Sequence, residues 1–540
     1  MTSSVPRTAI ALGVLIGLSI PVLFMGLGDY SVVDADEAFY HDVAWTMFET
    51  GDYWKVRTGP GEHVYDTFAN APLQYWARAL VISWIGPGLF GMRILSALAG
   101  LLAVLATFGL VLRRAGRGAG FLAGLLLLTN YQFVFLHGAR TGELETGVAL
   151  LLVLIAGLFV RTLERPARGF LLHHVCLALL FGWKAPVAPI PVLAELVCFA
   201  LLPAARPTFV AWLRAGVFVA PWALGWHAGQ AWRLHAVLPD VIAAVGDQAG
   251  RDSDWLDRFV EHAHYYARRI GFGAWPQIAL LPAAIASLLA GGAARARDGG
   301  LMIRVIAIQF VTVLVFYCAI AKLGPWYVSH AYPFMAALIA FGMSDLQSRR
   351  GLPIFSLAWL AFGIAAALFV APPLFGYDPF AASAIRIPMP LAVRSIGSWS
   401  TAASIALVGA ASLCVAVGAT LRGRSTRPVI LVATWLVAGV SLARVISPLA
   451  SLERVSAQDA LRNELAERRA TGHRVSFPID VPPAHPWIVH YAFGHEYALR
   501  EAPRRPGDPP APDRRFVLVG ERTREQAAAG APESAGNRAD

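Results

Sequence analysis

One polar segment near the N-terminus contains residue types that can do acid–base chemistry. Val33–Trp76 carries eight acidic residues, two basic residues and two histidines, whereas the flanking stretches Thr8–Leu27 and Phe90–Leu112 are apolar. Acids are costly in a bilayer-embedded chain unless they function in water or in a wet cavity. Asp36 could therefore be a general base at the membrane–water boundary, where it would take a proton from a hydroxyl group.

The same acids also fit helix capping. Apolar residues recur every four positions over Phe39–Met47, which predicts a helix that lies along the membrane surface and ends at Gly51. Asp34 would be its N-cap, and Glu37 three residues later would complete a capping box. Asp36 would then only favour the positive end of the helix dipole.

The composition predicts a membrane protein. The chain has 540 residues, of which 56% are hydrophobic and 15% charged, against about 25% charged in soluble proteins. About thirteen apolar stretches are long enough to span a bilayer, and Leu73–Ile85 is a second surface helix. The predicted spans are Thr8–Leu27, Phe90–Leu112, Ala119–Leu136, Thr146–Leu163, Gly169–Trp183, Val187–Leu202, Thr208–Trp226, Ala274–Leu289, Leu301–Ala321, Trp326–Met343, Leu352–Val370, Trp399–Leu421 and Val429–Ile446.

Charge distribution predicts the orientation and the domains. Arginines cluster in one set of alternate short connections, and the long loops 28–89, 227–273 and 372–398 form the other set. By the positive-inside rule the N-terminus is cytoplasmic and the long loops are exterior. The predicted fold is an all-α polytopic domain over 1–446, a small exterior α+β domain over 447–524 and a disordered tail over 525–540. In the α+β domain we predict a polar helix at 452–470 and short strands at 473–478, 487–493 and 515–519. Basic residues spread among short loops do not indicate nucleic-acid binding, and membrane lipids are the expected surroundings.

Lysine is rare in this arginine-rich chain. The three lysines, Lys55, Lys184 and Lys322, all fall on the predicted exterior side. Lys184, in the sequence FGWKAP, either extends its ammonium group to the interface or supplies a point charge for a phosphate group.

Other short exterior connections carry further candidates. Glu145 could cap the helix it precedes, and the aromatic residues around Tyr327 could belong to an interfacial belt. Glu261, His262 and His264 lie within four positions, so they could bind a divalent metal ion or form a solvated surface.

The order of these motifs resembles that of the bacterial lipid A aminoarabinose transferases and their relatives, the protein O-mannosyltransferases. The resemblance covers roughly residues 28–342. The matching features are Asp36-Glu37 with Tyr40, GDYW, APLQYW, RILSALAG from Arg93, Arg140 five positions before Glu145, Lys184 ahead of Pro186, Pro221-Trp222, His262 and His264 ahead of two tyrosines, and PWYVSHAYP.

The resemblance implies a GT-C type glycosyltransferase in the bacterial inner membrane. Such an enzyme moves a sugar from a polyprenyl-phosphate donor, with inversion, to a lipid or glycan acceptor on the exterior face. It implies that Asp36 is the base and that Glu145 occupies a second catalytic acidic position. The residues implied for donor phosphate and substrate are Lys184, Arg140, Tyr327, Tyr40, Glu37, Lys55 and Lys322.

Two departures argue against aminoarabinose as the sugar. Ala69 and Asn70 stand where those transferases carry Glu-Lys, and Phe39 stands where an arginine often follows the acidic pair. A protein O-glycosyltransferase of the same fold is an alternative. A transporter with charged residues along its pathway is another, although most of the acids here lie in exterior loops.

Overall fold

A computed structural model describes residues 4–29, 35–58, 61–70, 72–240, 242–243, 255–290 and 300–348. It also describes scattered helical positions between 434 and 445 and two strands nearer the C-terminus. The predicted spans Leu352–Val370 and Trp399–Leu421 lie outside the described residues. So do the predicted polar helix at 452–470 and the tail over 525–540.

The described residues are mostly helical. The helices are α1 Ser4–Phe24, α2 Ala35–Thr50, α3 Val64–Ala69, α4 Leu73–Ile85, α5 Leu89–Leu128, α6 Tyr131–Phe135, α7 Glu145–Glu164, α8 Leu171–Trp183, α9 Pro189–Leu201, α10 Phe209–Arg233, α11 Trp255–Gly273, α12 Leu281–Ala290, α13 Gly300–Ala319 and α14 Tyr332–Ser348. Short 3-10 turns at Ala185–Val187 and Tyr327–Ala331 precede α9 and α14.

Two small antiparallel strand pairs accompany the helices. β1 Arg57–Thr58 pairs with β2 Gly61–Glu62, with Arg57 opposite Glu62. β3 Tyr497–Glu501 pairs with β4 Phe516–Gly520, with Tyr497 opposite Gly520. β4 overlaps the predicted strand at 515–519, and the other two predicted strands of this region lie outside the described residues.

Within the described part of the chain, five helices are long and apolar enough to cross a membrane: α1, α5, α7, α10 and α13. α5 covers the predicted span Phe90–Leu112 and the first part of the predicted span Ala119–Leu136. Between these two parts the backbone leaves helical geometry at Gly116, where φ is 81° and ψ is 178°. Glycine adopts such a positive φ without steric penalty. A Cβ atom at Gly120 would lie 2.9 Å from the carbonyl oxygen of Phe108, so the two halves of α5 pack closely against each other.

Other predicted spans differ from the observed helices. The span predicted to end at Leu136 ends at Leu128, because the Asn130 side chain accepts a hydrogen bond from the Phe133 amide at 2.9 Å and starts α6. α8 and α9 have 13 residues each, so each is about 20 Å long. Neither helix alone spans a hydrocarbon core of about 30 Å, and the predicted number of thirteen spans is not confirmed.

The two helices predicted between the first two spans are present, and their position at a membrane surface stays a prediction. α4 has the predicted bounds, and α2 packs against it. Phe39, Val43 and Met47 of α2 are 2%, 0% and 0% exposed, as their spacing predicts. Gly51 follows α2 with a φ of 68° and donates its amide to the Met47 carbonyl oxygen. It ends the helix in the way predicted for a C′ glycine.

Glu37 forms a buried ion pair with Arg93. Both side chains are fully buried, and Arg93 Nε and Nη2 lie 2.6 and 3.2 Å from the two carboxylate oxygens. Glu37 also accepts a hydrogen bond from the Gly142 amide at 2.7 Å, and Arg93 donates to the Leu27 carbonyl oxygen at 3.1 Å. This buried position does not support the prediction that Glu37 binds substrate, and Asp34, its partner in the predicted capping box, lies outside the described residues. The Glu37 carboxylate instead joins α2 to α5 and to the loop before α7, because a buried guanidinium needs an anionic partner.

This ion pair leads to a stability prediction. Glu37→Gln keeps the shape of the side chain but leaves the buried charge of Arg93 uncompensated. We expect the free energy of unfolding, measured by SDS titration in mixed micelles, to fall by about 3–5 kcal/mol.

The matched control is Glu62→Gln. Glu62 pairs with Arg233, and the two side chains are 27% and 29% exposed. We expect this change to cost less than about 1 kcal/mol, because water screens such a pair. Equal small losses from both variants would contradict a structural role for the Glu37–Arg93 pair.

Candidate active site

A cavity of about 420 Å³ lies beside α2 and α3 and next to the ends of α8 and α13. Its wall comes from α2, α3, the turn after α8, the end of α13 and the connection from α13 to α14. Five of the residues proposed from sequence line it: Asp36, Tyr40, Lys184, Lys322 and Tyr327. These residues lie up to 291 positions apart in the chain, so the helix packing brings them together.

Lys184 forms an ion pair at the cavity wall. Its Nζ atom lies 2.5 Å from Glu145 Oε1, and the two side chains are 12% and 2% exposed. The ammonium group also lies 5.7 Å from the centre of the Tyr327 ring, a cation–π distance. Lys184 is therefore held inside the cavity wall rather than extended toward the interface.

Glu145 has two functions in this arrangement. One carboxylate oxygen binds Lys184, and the other accepts a hydrogen bond from the Leu144 amide at 3.1 Å. The second contact is a local hydrogen bond at the start of α7. It resembles the capping role that the sequence also allowed for Glu145. Glu145 is not among the cavity-lining residues, so it acts on the cavity through Lys184.

Two other predicted phosphate ligands lie away from the cavity. Arg140 is 1% exposed and donates to the carbonyl oxygens of Val22 and Met25 at 3.0 and 2.7 Å, which anchors the loop before α7 to the end of α1. Lys55 lies 3.8 Å from Asp52 beside the β1–β2 pair. The prediction that these residues bind the donor phosphate is not supported by their positions.

The predicted metal ligands His262 and His264 do not converge. They are two positions apart on α11, so their side chains point to nearly opposite sides of the helix. His262 is 5% exposed and packs near Tyr266, whereas His264 is exposed to solvent. The expectation that both bind one metal ion is therefore wrong.

Asp66 was not predicted from the sequence as a site residue, yet it lies on α3 and lines the cavity. Burial, together with the nearby charge of Asp36, raises the pKa of Asp66 from its ordinary value of 3.8 to about 6. The Asn70 side chain donates a hydrogen bond to Asp66 at 2.9 Å, and this bond and Lys322 act in the opposite direction on the pKa. The four-residue spacing of Asp66 and Asn70 on a short helix was the available signal.

Tyr40 is held in its neutral form. Burial, followed by the negative charges of Asp36, Glu143 and Glu145, raises the pKa of Tyr40 well above its ordinary value. Its hydroxyl group therefore keeps its proton and can donate a hydrogen bond to a ligand in the cavity.

The overall fold is shared with solved membrane glycosyltransferases. The structure of ArnT from Cupriavidus metallidurans bound to undecaprenyl phosphate matches with a TM-score of 0.62 and 18% identity, over 89% of this chain and 85% of that one. The arabinosyltransferase EmbB from Mycobacterium smegmatis matches with a TM-score of 0.51 and 17% identity, over 88% of this chain and 45% of that one. No family model matches the sequence, and no curated protein matches it.

These matches define the class of fold. The chain has the GT-C fold, a polytopic, mostly helical membrane architecture, as the resemblance implies. It spans less than half the length of EmbB. At this level of identity the matches establish the fold alone.

The raised pKa of Asp66 predicts a specific dependence of stability on pH. The folded pKa of about 6 lies above the ordinary value of 3.8, so ionisation of this carboxyl group penalises folding. The penalty is absent below about pH 4 and complete above about pH 6. Relative to wild type, Asp66→Asn should therefore gain thermal stability as the pH rises from about 4 to about 7.

The measurement is the thermal unfolding midpoint of both proteins across this pH range. Asp257→Asn, at an exposed position of α11, is the control for loss of one surface carboxylate. A difference between Asp66→Asn and wild type that does not change with pH would contradict the raised pKa.

Proposed function

We propose that this protein is an inverting glycosyltransferase that uses a polyprenyl-phosphate sugar as its donor. Its acceptor is a hydroxyl or phosphate group of a lipid or glycan, such as a lipid A-like molecule. The observation that carries the proposal is the cavity, which places the carboxylate of Asp36 in the same wall as the ammonium group of Lys184 and the phenol of Tyr327. These groups match the needs of glycosyl transfer from a lipid phosphate.

In the proposed reaction Asp36 takes the proton from the acceptor hydroxyl group. The acceptor oxygen forms a bond to the anomeric carbon as the bond to the phosphate oxygen breaks, so the sugar inverts and the polyprenyl phosphate leaves with the electron pair. A phosphate leaving group needs positive charge more than it needs a proton. Lys184 supplies that charge, and the neutral phenols of Tyr40 and Tyr327 donate hydrogen bonds.

Glu145 is a positioning residue in this mechanism. It holds Lys184 Nζ at 2.5 Å, so the ammonium group points in a fixed direction. Lys322, on the same cavity wall as Asp66, is a second positive charge for the donor. Lys55 and Arg140 have no part in the proposed reaction.

We propose that the donor sugar is not aminoarabinose. Phe39, Phe68 and Ala69 line the cavity, so part of its wall is apolar. Asp66 and Lys322 supply a carboxylate and an ammonium group nearby, but from different elements. A cavity with these side chains favours a sugar without a cationic substituent.

The cavity is proposed to open on the exterior face of the bacterial inner membrane, with the N-terminus in the cytoplasm. The arginine-rich connections support this orientation, because they would all lie on the opposite side. Five helices of membrane-spanning length and composition among the described residues are consistent with a multi-pass protein.

The first functional prediction concerns Asp36. Asp36→Asn keeps the size of the side chain and its hydrogen-bonding capacity but cannot accept the proton, so glycosyl transfer should be lost while donor binding remains. The assay supplies purified protein with a panel of polyprenyl-phosphate sugars, including the aminoarabinose donor, and detects the product by mass spectrometry. Transfer within about tenfold of wild type, equivalent to only about 1.4 kcal/mol, would rule out Asp36 as the base.

The choice of donor is tested in the same panel. We expect wild-type protein to prefer a sugar other than aminoarabinose. Preference for the aminoarabinose donor would contradict the proposed sugar specificity but not the proposed class of reaction.

The second functional prediction concerns Lys184. Lys184→Ala removes the positive charge beside the leaving group and should lower the turnover rate by roughly 10²–10³-fold. Lys55→Ala is the matched control, because Lys55 carries the same charge outside the cavity lining and should have little effect. Equal and small effects of the two changes would exclude Lys184 from the reaction.

A further inference from the structure

We propose that Asp36, His137 and Glu143 bind a divalent transition-metal ion. Each residue offers one ligand atom, and these three atoms lie within 4.8 Å of one another. His137 Nδ1 and Glu143 Oε1 are 3.5 Å apart. Two ligands at about 2.1 Å from a tetrahedral ion lie about 3.4 Å apart, so the observed spacing already fits an ion between them.

The cluster lies between the protein interior and the cavity. His137 and Glu143 are 5% and 1% exposed, whereas Asp36 lines the cavity. The His137 ring stacks on Trp326, another cavity-lining residue, with 4.0 Å between ring centres and 19° between the ring planes. A metal ion held by these three side chains would therefore have protein ligands on one side and the cavity on the other. Metal sites that act on substrates keep such an open position.

The segment that carries two of the ligands is fixed by hydrogen bonds from other helices. The Glu143 carbonyl oxygen accepts from Ser96 Oγ at 2.7 Å and from Arg78 Nη2 at 3.3 Å. The neighbouring Gly142 amide donates to Glu37, and the Leu144 carbonyl oxygen accepts from Trp183 at 3.1 Å. Ligands positioned by their surroundings in this way bind a metal with less loss of conformational entropy.

His137 also has an unusual backbone conformation. Its φ is 50°, and it is the non-glycine residue with a positive φ among those that the structure describes. Such conformations are uncommon outside glycine, asparagine, aspartate and histidine, and they cluster at functional sites. Here this conformation goes together with a side chain directed at Glu143.

The donor set indicates which metals fit. One imidazole nitrogen suits zinc and other transition metals, and two carboxylate oxygens suit manganese and magnesium. Together they favour Mn²⁺ or Zn²⁺ over Ca²⁺ or Mg²⁺. The two charges of the ion would balance the two carboxylates, and its open position would accept an oxygen atom of a ligand in the cavity.

The experiment is a titration of the purified full-length chain with MnCl₂ after treatment with a chelator and without any sugar donor. Electron paramagnetic resonance measures free Mn²⁺, and competition with ZnCl₂ gives the relative affinity. We expect one equivalent of Mn²⁺ to bind to wild type. His137→Asn, which tolerates the positive φ, and Glu143→Gln should each raise the Kd by at least about tenfold.

The matched controls are His264→Asn and Glu261→Gln, two exposed positions on α11 that should leave the Kd unchanged. If the buried variants fail to fold, Asp36→Asn at the cavity wall provides the same test with less disturbance of the interior. Absence of stoichiometric binding to wild type, or equal binding to the ligand variants, would overturn the inference. Either result would leave the proposed function intact, because the proposed reaction assigns no step to a metal ion.

Discussion

The buried ion pair between Glu37 and Arg93 determines the position of the candidate active site. Asp36 is the residue next to Glu37, so the place where α2 docks also fixes the proposed base. The same carboxylate binds the Gly142 amide in the loop that carries His137, Glu143 and, one residue beyond it, Glu145. One interaction therefore sets the distance between the two acidic segments. The cost of burying its charges is offset by near-ideal bidentate geometry and by the further bond from Arg93 to the end of α1.

Buried arginines play a structural role throughout this region. Arg78, Arg93 and Arg140 are among the largest fully buried side chains of the described residues. Each donates to backbone carbonyl oxygens at helix ends or in the loop before α7. A guanidinium group has five donors in a rigid plane, so one arginine can satisfy carbonyl groups from several elements where water is excluded. The cavity, in contrast, takes its positive charge from lysines, which are compact point charges that a phosphate can approach.

Local patterns in the sequence predicted local structure well. The four-residue apolar spacing predicted the buried face of α2, Gly51 predicted its end, and the bounds of α4 were correct.

The roles of single side chains were harder to predict where the partner is distant in sequence. Glu37 stands at a spacing that suits a capping box, yet its partner Arg93 is 56 positions away. Arg140 was predicted to bind the donor phosphate, yet it donates hydrogen bonds to two carbonyl groups at the end of α1. His262 and His264 were paired by proximity in sequence, although two positions on a helix separate side chains rather than bringing them together. Asp66 was missed because its spacing from Asn70, a local signal, does not indicate that it faces a cavity shared with Lys322.

The contact between Lys184 and Glu145 has a consequence for turnover. A donor phosphodiester carries one negative charge, and the released polyprenyl phosphate carries close to two at neutral pH. Positive charge that favours departure of the leaving group therefore also retains the product. Glu145 remains beside Lys184 as an intramolecular competitor for the ammonium group. In the proposed reaction, the lysine would exchange one anion for another when the product phosphate moves away, instead of being left uncompensated. The carboxylate that orients the cation would therefore also lower the barrier to emptying the cavity for the next cycle.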